Sequence, residues 1–374
     1  MANLAVELNG LRFPNPVLSG SGPQTEGAAN LADAVRGGAG GLVTRTVLPR
    51  PFLAPAEPSV VPYGRDGLLT NQRGSSLTPA EWTYPTDLGV PVIASLAGTA
   101  AEIGELGARL VANGAQALEF ATAFLSWPEC VEALQSLRRA VSVPIWAKLS
   151  LRHGEDIAER AQEIEPYVDA FVCMSSFGPV LDIDPDQNGA PRLTDPYGYG
   201  WLCGAPIHPI AVRTVFELAR KVRKPIIASG GAMSVRDLVE FLQVGAVLVQ
   251  VVTLPIIKGP SVYGDLATGL ETWLDQHGHH DVANIRGQYV KRWGRGQRVV
   301  LTTEESPQLD PAKCTGCTIC GLVCYWDAIV AKPKELPDIN PANCFECGLC
   351  VSACPEGALS FRPREQVTML PPGR

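Results

Sequence analysis

The sequence lacks an apolar run long enough to cross a membrane. A spanning helix needs about 20 consecutive apolar residues, and the longest apolar run, Ala246–Ile257, is interrupted by Gln250 and Pro255. The N-terminal stretch MANLAVELNGLRFPNP carries charge and two prolines, which is unlike a secretory or transit peptide. We therefore expect a cytoplasmic location and no membrane partner.

The chain also lacks an excess of basic residues. Its 31 Lys and Arg residues are outnumbered by 38 Asp and Glu residues, giving a net charge of −7. A nucleic-acid-binding domain usually presents a basic surface, so we expect no nucleic-acid partner. In addition, no Gly-x-Gly-x-x-Gly motif follows a predicted strand, so we expect no nicotinamide site within this chain.

Cysteine is scarce except in one C-terminal segment. Outside that segment only Cys130, Cys173 and Cys203 occur. The segment itself contains two runs with the same Cys-x2-Cys-x2-Cys-x3-Cys spacing. The first run is Cys314, Cys317, Cys320 and Cys324, and the second is Cys344, Cys347, Cys350 and Cys354.

This spacing is typical of bacterial ferredoxins with two [4Fe-4S] clusters, in which the last cysteine of each run binds the other cluster. It therefore predicts one cluster on Cys314, Cys317, Cys320 and Cys354, and a second on Cys344, Cys347, Cys350 and Cys324. Zinc is an alternative, but a zinc ion has no use for a third cysteine at this spacing. A disulfide framework is typical of small secreted chains instead. The clusters indicate a chain that conducts electrons.

Residues 1–285 alternate short apolar runs with longer helical patterns. The runs are nearly continuously apolar, as expected for parallel strands buried on both faces. Eight strands are predicted, at Pro16–Ser19, Gly41–Thr46, Val92–Ala97, Ala117–Ala121, Ile145–Leu149, Ala170–Met174, Ile226–Ser229 and Val247–Val251. This count predicts an α/β fold with a (β/α)8 TIM barrel. A doubly wound open sheet is the alternative.

The remaining boundaries follow from composition. After the barrel, residues 286–309 are predicted to form a linker, residues 310–362 a ferredoxin-like domain, and residues 363–374 a Pro-rich tail. The basic stretch Arg286–Arg298 in the linker is interpreted as a solvated connector, with a docking strip as the alternative.

Two long segments interrupt the barrel pattern, Leu48–Thr86 and Ser175–Pro206. Both follow predicted strands, so both lie at the C-terminal end of the barrel, where barrel enzymes keep their active sites. Long loops within a compact domain are usually functional. We therefore expect these segments to border the active site.

Glycines follow the seventh predicted strand at Gly230 and Gly231, and Val252-Thr253 follows the eighth. Loops at these two positions often bind phosphate in barrels, because glycine lets backbone amides approach an anion closely. Beside two iron–sulfur clusters, this indicates the phosphate of flavin mononucleotide (FMN). Lys148 ends the fifth strand, where it would stabilise negative charge on a reduced flavin or simply reach solvent.

Several stretches together resemble the dihydroorotate dehydrogenase superfamily. They are LNGLRFPNPVLSGSG, GGLVTRT, WAKLS, CGAPIHPIAVR, IIASGGAMS and VGAVLVQVVT. With the cysteine runs, the chain is most similar to the C-terminal half of dihydropyrimidine dehydrogenase and its bacterial iron–sulfur subunit. The resemblance implies FMN at the barrel mouth, a small-molecule substrate, and a separate NAD(P)H- and FAD-dependent reductase subunit or a ferredoxin as electron donor. We also expect an oligomer.

The resemblance assigns roles to residues at the strand ends. The implied cofactor-binding residues are Ser19, Gly20, Ser21, Arg45, Lys148, Gly204, Gly230, Gly231, Val252 and Thr253. The implied catalytic residues are Lys148, Arg45, Asn71 and Ser175. Arg45 replaces a lysine of the family, which keeps the positive charge but exchanges a point charge for a planar fork.

The chain departs from the family after the fourth strand. Where the family has an L-N-x-S-C-P stretch, this chain reads LEFATAFLSWPEC. Ala121 takes the place of an asparagine that contacts flavin and substrate, and Phe124 takes the place of a cysteine that exchanges a proton with the substrate. Cys130 is an alternative proton donor, or a core residue of the next helix. Ser175 stands where the family usually has an asparagine.

The side chains that would hydrogen-bond a pyrimidine are thus largely missing. A site that loses such hydrogen bonds loses its preference for that substrate by a factor of about 10⁴ or more. Phe124, Trp127 and Trp201 favour a more apolar or aromatic substrate, unless they only fill space. We therefore predict an FMN- and iron–sulfur-dependent oxidoreductase acting on CH–CH groups, which reduces or dehydrogenates an activated C=C or C=N bond of a non-orotate substrate. The alternatives are an electron-transfer subunit with a non-catalytic barrel, and an ordinary dihydropyrimidine or dihydroorotate dehydrogenase.

Overall fold

The computed structural model describes residues 1–52, 58–71, 74–85, 88–193, 198–294 and 306–361. The chain divides into two compact units, Met1–Val290 and Lys291–Arg374. Part of the predicted linker, residues 295–305, and the predicted tail at 363–374 lie outside the described residues. Within the predicted linker, Gln288–Gly294 forms a helix.

Eight parallel strands close into a barrel in the first unit. Each strand pairs with the next along the chain, and the eighth pairs with the first through Val251 and Ser19. The strands are Val17–Ser19, Gly41–Val43, Val92–Leu96, Ala117–Ala121, Ile145–Leu149, Ala170–Cys173, Ile226–Ser229 and Leu248–Val251. The predicted TIM barrel is confirmed with all eight strands in their predicted places, and the open sheet is wrong.

Helices follow most barrel strands and cover the barrel from outside. They are Gly27–Arg36, Ile103–Ala112, Trp127–Ala140, Ile157–Ile164, His208–Lys221, Val235–Gln243, Thr253–Lys258 and Val262–Gln276. Local sequence sets their beginnings. Ser126 and Glu129 form a capping box before Trp127–Ala140, and the Ser234 side chain caps Val235–Gln243, which satisfies amides that a helix start leaves unpaired.

Between the second and third strands the described residues contain no α-helix. Aromatic side chains occupy that place instead: Trp82 and Tyr84 are buried in the barrel's core and stack with ring centroids 5.8 Å apart. The Trp82 indole N–H donates to Ser75 Oγ at 3.0 Å, so the polar end of this large ring is satisfied, as buried indoles require.

A β-hairpin made of Val6–Leu8 and Leu11–Phe13 precedes the first barrel strand. Its turn is Asn9-Gly10, both at positive φ, which is the dipeptide that two-residue hairpin turns favour. Trp146 of the fifth strand donates its indole N–H to Asn9 Oδ1 at 3.1 Å. This contact ties the hairpin to the barrel interior.

The two long segments pair with each other at the other end of the barrel. Val60–Tyr63 and Gly67–Thr70 come from the first segment, and Phe177–Leu181 and Tyr199–Gly204 come from the second. They form one four-stranded antiparallel sheet, because Gly67–Thr70 pairs with Tyr199–Gly204. The loops that border the predicted active site are therefore one structure.

The second unit has little regular structure. It contains the short helices Ile319–Leu322 and Leu349–Ala353 and two small antiparallel pairs, Gln308–Leu309 with Leu359–Ser360 and Ile329–Val330 with Asp338–Ile339. Its buried cluster is small and includes cysteines, so apolar packing alone gives this unit little stability.

Across both units, none of the described helices has the length and apolarity that a membrane span requires; the longest, Val262–Gln276, has 15 residues.

Candidate functional site

Two adjoining cavities lie at the C-terminal ends of the barrel strands. The larger is lined by most of the predicted cofactor residues, namely Ser21, Arg45, Lys148, Gly204, Gly230, Gly231, Val252 and Thr253. The second is lined by Ser21, Arg45, Thr46, Thr70, Ala121, Ala123, Phe124, Lys148, Ser175, Ser176 and Trp201. The barrel thus brings strand-end residues from across the sequence to one site.

Three predicted residues do not line either cavity among the described residues. Ser19 is fully buried, and its hydroxyl has no hydrogen-bond partner within the described ranges. Gly20 packs so closely on the eighth strand that an added Cβ would lie 2.6 Å from Val252 Cγ2. Asn71 is buried, and its backbone amide donates to Ser59.

Part of the wall of the larger cavity is a glycine cradle. Gly204, Gly230 and Gly231 all have positive φ values, of +86°, +115° and +80°, which residues with a side chain rarely adopt. In the part of the chain that the structure describes, the amides of Gly230 and Gly231 donate no hydrogen bond. Free amides on a concave loop suit an anion.

A polar network braces this cradle. Asp237 accepts a hydrogen bond from the Met233 amide at 2.8 Å, and His208 Nε2 lies 2.9 Å from a carboxylate oxygen of Glu240 and 3.5 Å from one of Asp237. Burial favours a higher pKa for Glu240, but hydrogen bonds from His208 and Arg236 outweigh it and lower that pKa. The carboxylate is therefore ionised near neutral pH and holds His208 in place.

The wall of the same cavity also contains two cations, Lys148 and Arg45. Lys148 is only 8% exposed, so it lies in the cavity wall and does not extend into bulk solvent. Its ammonium donates to Gln250 Oε1 at 2.8 Å and lies 3.4 Å from Glu119 Oε1. Sequence reasoning missed Glu119 and Gln250, although a glutamate within a fully buried strand was a usable signal.

Arg45 is the second cation of the site. Its Nε donates to the Gly74 carbonyl at 3.0 Å, and Glu26 lies 3.8 Å away. Burial lowers the pKa of the guanidinium while Glu26 raises it. Since arginine is effectively always protonated, the cavities contain a fixed positive charge at this point.

A chain of hydroxyl groups leads from the cavities into the barrel. Ser21 Oγ lies 3.1 Å from Thr46 Oγ1, which lies 3.0 Å from Ser95 Oγ. Ser21 and Thr46 line the second cavity, and Ser95 is fully buried. Hydroxyls both donate and accept hydrogen bonds, so the Thr46 hydroxyl can donate either to Ser21 or to Ser95.

The aromatic residues of the sequence prediction separate into two groups. Phe124 and Trp201 line the second cavity. Trp127 does not: it is buried beside His153 and donates its indole N–H to Glu163 at 2.7 Å. Trp127 therefore belongs to the packing between helices.

Cys130 also lies away from the cavities. It is fully buried in the helix Trp127–Ala140, and its thiol donates to the Thr122 carbonyl at 3.4 Å. Burial raises the pKa of this thiol to about 12. The geometry favours a core residue over a proton donor.

The cysteine unit contains two further cavities. One is lined by Cys314, Cys317, Cys320 and Cys354, and the other by Cys324, Cys344, Cys347 and Cys350. Each thus gathers three cysteines of one run and the last cysteine of the other, which is the grouping that the spacing predicts. The role of these residues as ligands stays a prediction.

The chemistry of these cysteines suits a cationic iron cluster. Burial is the main cause that raises the pKa of Cys350 to about 11, and the neighbouring Cys344, Cys347 and Cys324 raise it further, because a thiolate is disfavoured in apolar surroundings and beside other thiolates. Backbone amides of Glu346 and Ala358 donate to the sulfurs of Cys344 and Cys354 at 3.4 and 3.3 Å. Such hydrogen bonds stabilise negative charge on sulfur.

A barrel with cationic cavities joined to a unit with two groups of four cysteines is the architecture of an electron-transferring oxidoreductase. Comparison with known sequences agrees. The dihydroorotate dehydrogenase family matches residues 128–274, and the 4Fe-4S dicluster domain matches residues 313–358.

Individual relatives match about three quarters of the chain. The dihydroorotate dehydrogenase B (NAD(+)) catalytic subunit of Methanothermobacter thermautotrophicus is 30% identical over 302 residues, covering 76% of this chain and 97% of that protein. The subunit of the same name from Halalkalibacterium halodurans is 30% identical, and the match covers 77% of this chain and 98% of that protein. The subunit from Thermoplasma acidophilum is 29% identical, and the match covers 78% of this chain and 100% of that protein. The chain belongs to the dihydroorotate dehydrogenase family.

Proposed function

We propose that this chain is an FMN- and iron–sulfur-dependent oxidoreductase that passes electrons between two [4Fe-4S] clusters and FMN. Its substrate is a small organic molecule with an activated C=C or C=N bond, which it reduces or forms by dehydrogenation. The observation that carries the proposal is the larger cavity, whose wall contains both the glycine cradle and the cations Lys148 and Arg45.

The lining of this cavity fits FMN. The free amides of Gly230 and Gly231, together with Val252 and Thr253, offer donors for a phosphate. Lys148 offers a cation for the electron-rich edge of the ring system. When bound, the flavin supplies the hydride chemistry, while the protein orients the reactants and stabilises charge.

The residues of the second cavity divide the remaining work. Arg45 offers a fixed guanidinium that orients an acceptor group of the substrate. Phe124 and Trp201 cover apolar faces and exclude water. The hydroxyls of Ser21 and Thr46, whose oxygens lie 3.1 Å apart, offer hydrogen bonds to the substrate or to a water molecule that supplies the proton in place of the family's cysteine.

Dihydroorotate is not the substrate in this proposal. Ala121 and Phe124 line the second cavity, at the positions that the resemblance assigns to the family's asparagine and cysteine, and neither side chain donates or accepts a hydrogen bond. A site without those groups leaves the polar edge of a pyrimidine unpaired, which costs about 1–3 kcal/mol for each group.

A separate electron-transferring subunit is the proposed partner. The relatives are named catalytic subunits of an NAD(+)-dependent enzyme, and this chain has no Gly-x-Gly-x-x-Gly motif after a strand. We expect a reductase subunit with FAD, or a ferredoxin, to exchange electrons with the cysteine unit.

Two other functions each have one observation in their favour. The names of the relatives favour dihydroorotate itself as substrate. The absence of a cysteine at Phe124 favours an electron-transfer subunit whose barrel is not catalytic.

Anaerobic purification of the whole chain with its co-purifying proteins tests the proposal. We expect one FMN and about eight iron atoms per chain, and no flavin reduction by dihydroorotate, nor flavin oxidation by uracil or thymine. Rapid turnover of dihydroorotate or uracil would contradict the proposed substrate. Reoxidation of the reduced flavin by a co-purifying protein, but by no small molecule, would favour the electron-transfer function.

A further inference from the structure

Lys148 is held by two side chains from other strands of the barrel. Glu119 lies on the fourth strand, Lys148 on the fifth and Gln250 on the eighth. Gln250 accepts from the Lys148 ammonium at 2.8 Å and donates its amide nitrogen to Glu119 Oε2. Glu119 Oε1 lies 3.4 Å from the same ammonium. The three groups form a closed ring of contacts.

The orientation of the Gln250 amide matches the two charges. An ammonium can only donate hydrogen bonds, and an ionised carboxylate can only accept them. Gln250 therefore turns its oxygen to Lys148 and its nitrogen to Glu119. A single amide orientation satisfies both neighbours, which fixes the ammonium in direction as well as in distance.

Glu119 and Lys148 differ in whether they line the cavities. Glu119 is fully buried and lines neither cavity among the described residues, whereas Lys148 lines both. An isolated buried carboxylate is strongly unfavourable, and a paired one is tolerated. The pair is thus oriented with its positive end at the cavity wall and its negative end in the barrel interior.

We propose that Glu119 and Gln250 are positioning residues that set how much positive charge Lys148 presents to the flavin. This inference rests on the proposed function, because it assigns the field in the larger cavity to a bound FMN. Glu119 offsets part of the field of Lys148, and Gln250 holds the ammonium against the cavity wall. The ring of contacts therefore tunes the reduction potential of the flavin.

The proposal predicts opposite effects for the two charges. Replacing Glu119 by glutamine keeps the shape of the side chain and removes the negative charge, so the flavin becomes easier to reduce. Replacing Lys148 by methionine leaves the buried carboxylate uncompensated, so the flavin becomes harder to reduce and binds more weakly. The charges act through a low-dielectric interior, where such effects are large.

The test compares Glu119→Gln, Lys148→Met and the double variant in the whole chain. The midpoint potential of bound FMN is measured by anaerobic titration against a reference dye, and FMN affinity by flavin fluorescence. We expect a higher potential in Glu119→Gln and a lower one in Lys148→Met. FMN affinity should fall by about tenfold or more in Lys148→Met and recover to within about threefold of wild type in the double variant, because no unpaired charge is left buried.

Trp146→Phe is the matched control, because it removes a buried polar contact, to Asn9, that does not involve Lys148. Its potential should equal that of the wild type. The proposal is overturned if Glu119→Gln leaves the potential unchanged or lowers it, or if the double variant binds FMN no better than Lys148→Met. If Glu119→Gln alone does not fold, the FMN affinities of the double variant and Lys148→Met decide whether the proposal stands. A wild-type chain that binds no FMN would contradict the proposed function, and this inference would fall with it.

Discussion

Gly231 approaches Gly204 so closely that a Cβ atom added at Gly231 would lie 2.7 Å from the Gly204 carbonyl oxygen. The same Cβ would lie 2.7 Å from the His208 amide nitrogen. Both contacts are with backbone atoms, which cannot turn away as a flexible side chain could. The glycine cradle is therefore closed by the loop before the helix His208–Lys221.

This contact predicts a difference between two glycine substitutions. Gly231 and Gly10 have similar φ values of +80° and +79°, but among the described residues an added Cβ at Gly10 would meet nothing within 4 Å. Both alanine variants carry the backbone strain of a positive φ, about 1–2 kcal/mol. Only Gly231→Ala should add about 1–3 kcal/mol of overpacking and weaken FMN binding. Thermal unfolding and flavin fluorescence measure the two effects, and equal behaviour of the variants would contradict this account of the cradle.

The crossed grouping of cysteines predicts which variants resemble each other. Cys354→Ala should alter the same cluster signal as Cys317→Ala, although the two residues come from different runs, because they line the same cavity. Cys347→Ala should alter the other signal. Electron paramagnetic resonance of the reduced, reconstituted proteins distinguishes them, with Cys203→Ala as a control that keeps about eight iron atoms. A Cys354→Ala spectrum like that of Cys347→Ala would refute the grouping.

Cys130 should be inert in the folded protein. Burial raises its pKa to about 12, so the thiol stays protonated at pH 8, and alkylating reagents react with the thiolate. Mass spectrometry should find no iodoacetamide label on Cys130 at pH 8 in the native chain and full labelling after unfolding in guanidinium. Cys130→Ala should also keep the flavin reactivity of the wild type. Loss of the proton-transfer step in the Cys130→Ala variant would contradict this prediction and identify Cys130 as the proton donor.

Restoring the family's cysteine should not restore activity on pyrimidines. Phe124 ends the short helical turn Thr122–Phe124 after the fourth strand, and proton transfer requires hydrogen-bond geometry before a suitable pKa. We expect Phe124→Cys with FMN bound to show no flavin reduction by dihydroorotate in anaerobic stopped-flow measurements. Phe124→Leu is the control for the lost ring. Fast reduction in Phe124→Cys alone would mean that the site still reads a pyrimidine.

The barrel could be predicted from the sequence because its strands are short, apolar and separated by helical patterns. The fourth, fifth and seventh strands have the predicted bounds, Ala117–Ala121, Ile145–Leu149 and Ile226–Ser229. Elsewhere the predicted strands run up to three residues too far, as at Gly41–Thr46, where the structure ends the strand at Val43. Thr44 and Thr46 are β-branched and suit a strand, but Thr44 Oγ1 donates to the Arg45 carbonyl, and Thr46 lines the second cavity.

What could not be predicted depends on pairing between distant residues. The long segments alternate too weakly to reveal that Gly67–Thr70 pairs with Tyr199–Gly204. The contact of Glu119 with Gln250 joins residues on strands four and eight, and no local pattern reports it. Trp127 was misjudged because an aromatic residue after a strand suits both a cavity wall and a helix contact. In each case the deciding partner lies far away in the chain.

The four-stranded sheet over the barrel mouth also limits how this protein can change. The two segments that form it are separated in the chain by residues 87–174 of the barrel, yet their backbones share one hydrogen-bonded ladder. An insertion or register change in one strand would displace Thr70 and Trp201, which line the second cavity from neighbouring strands. New specificity in this scaffold therefore arises from paired replacement of both segments, and grafting either one alone from a relative should disorder the other.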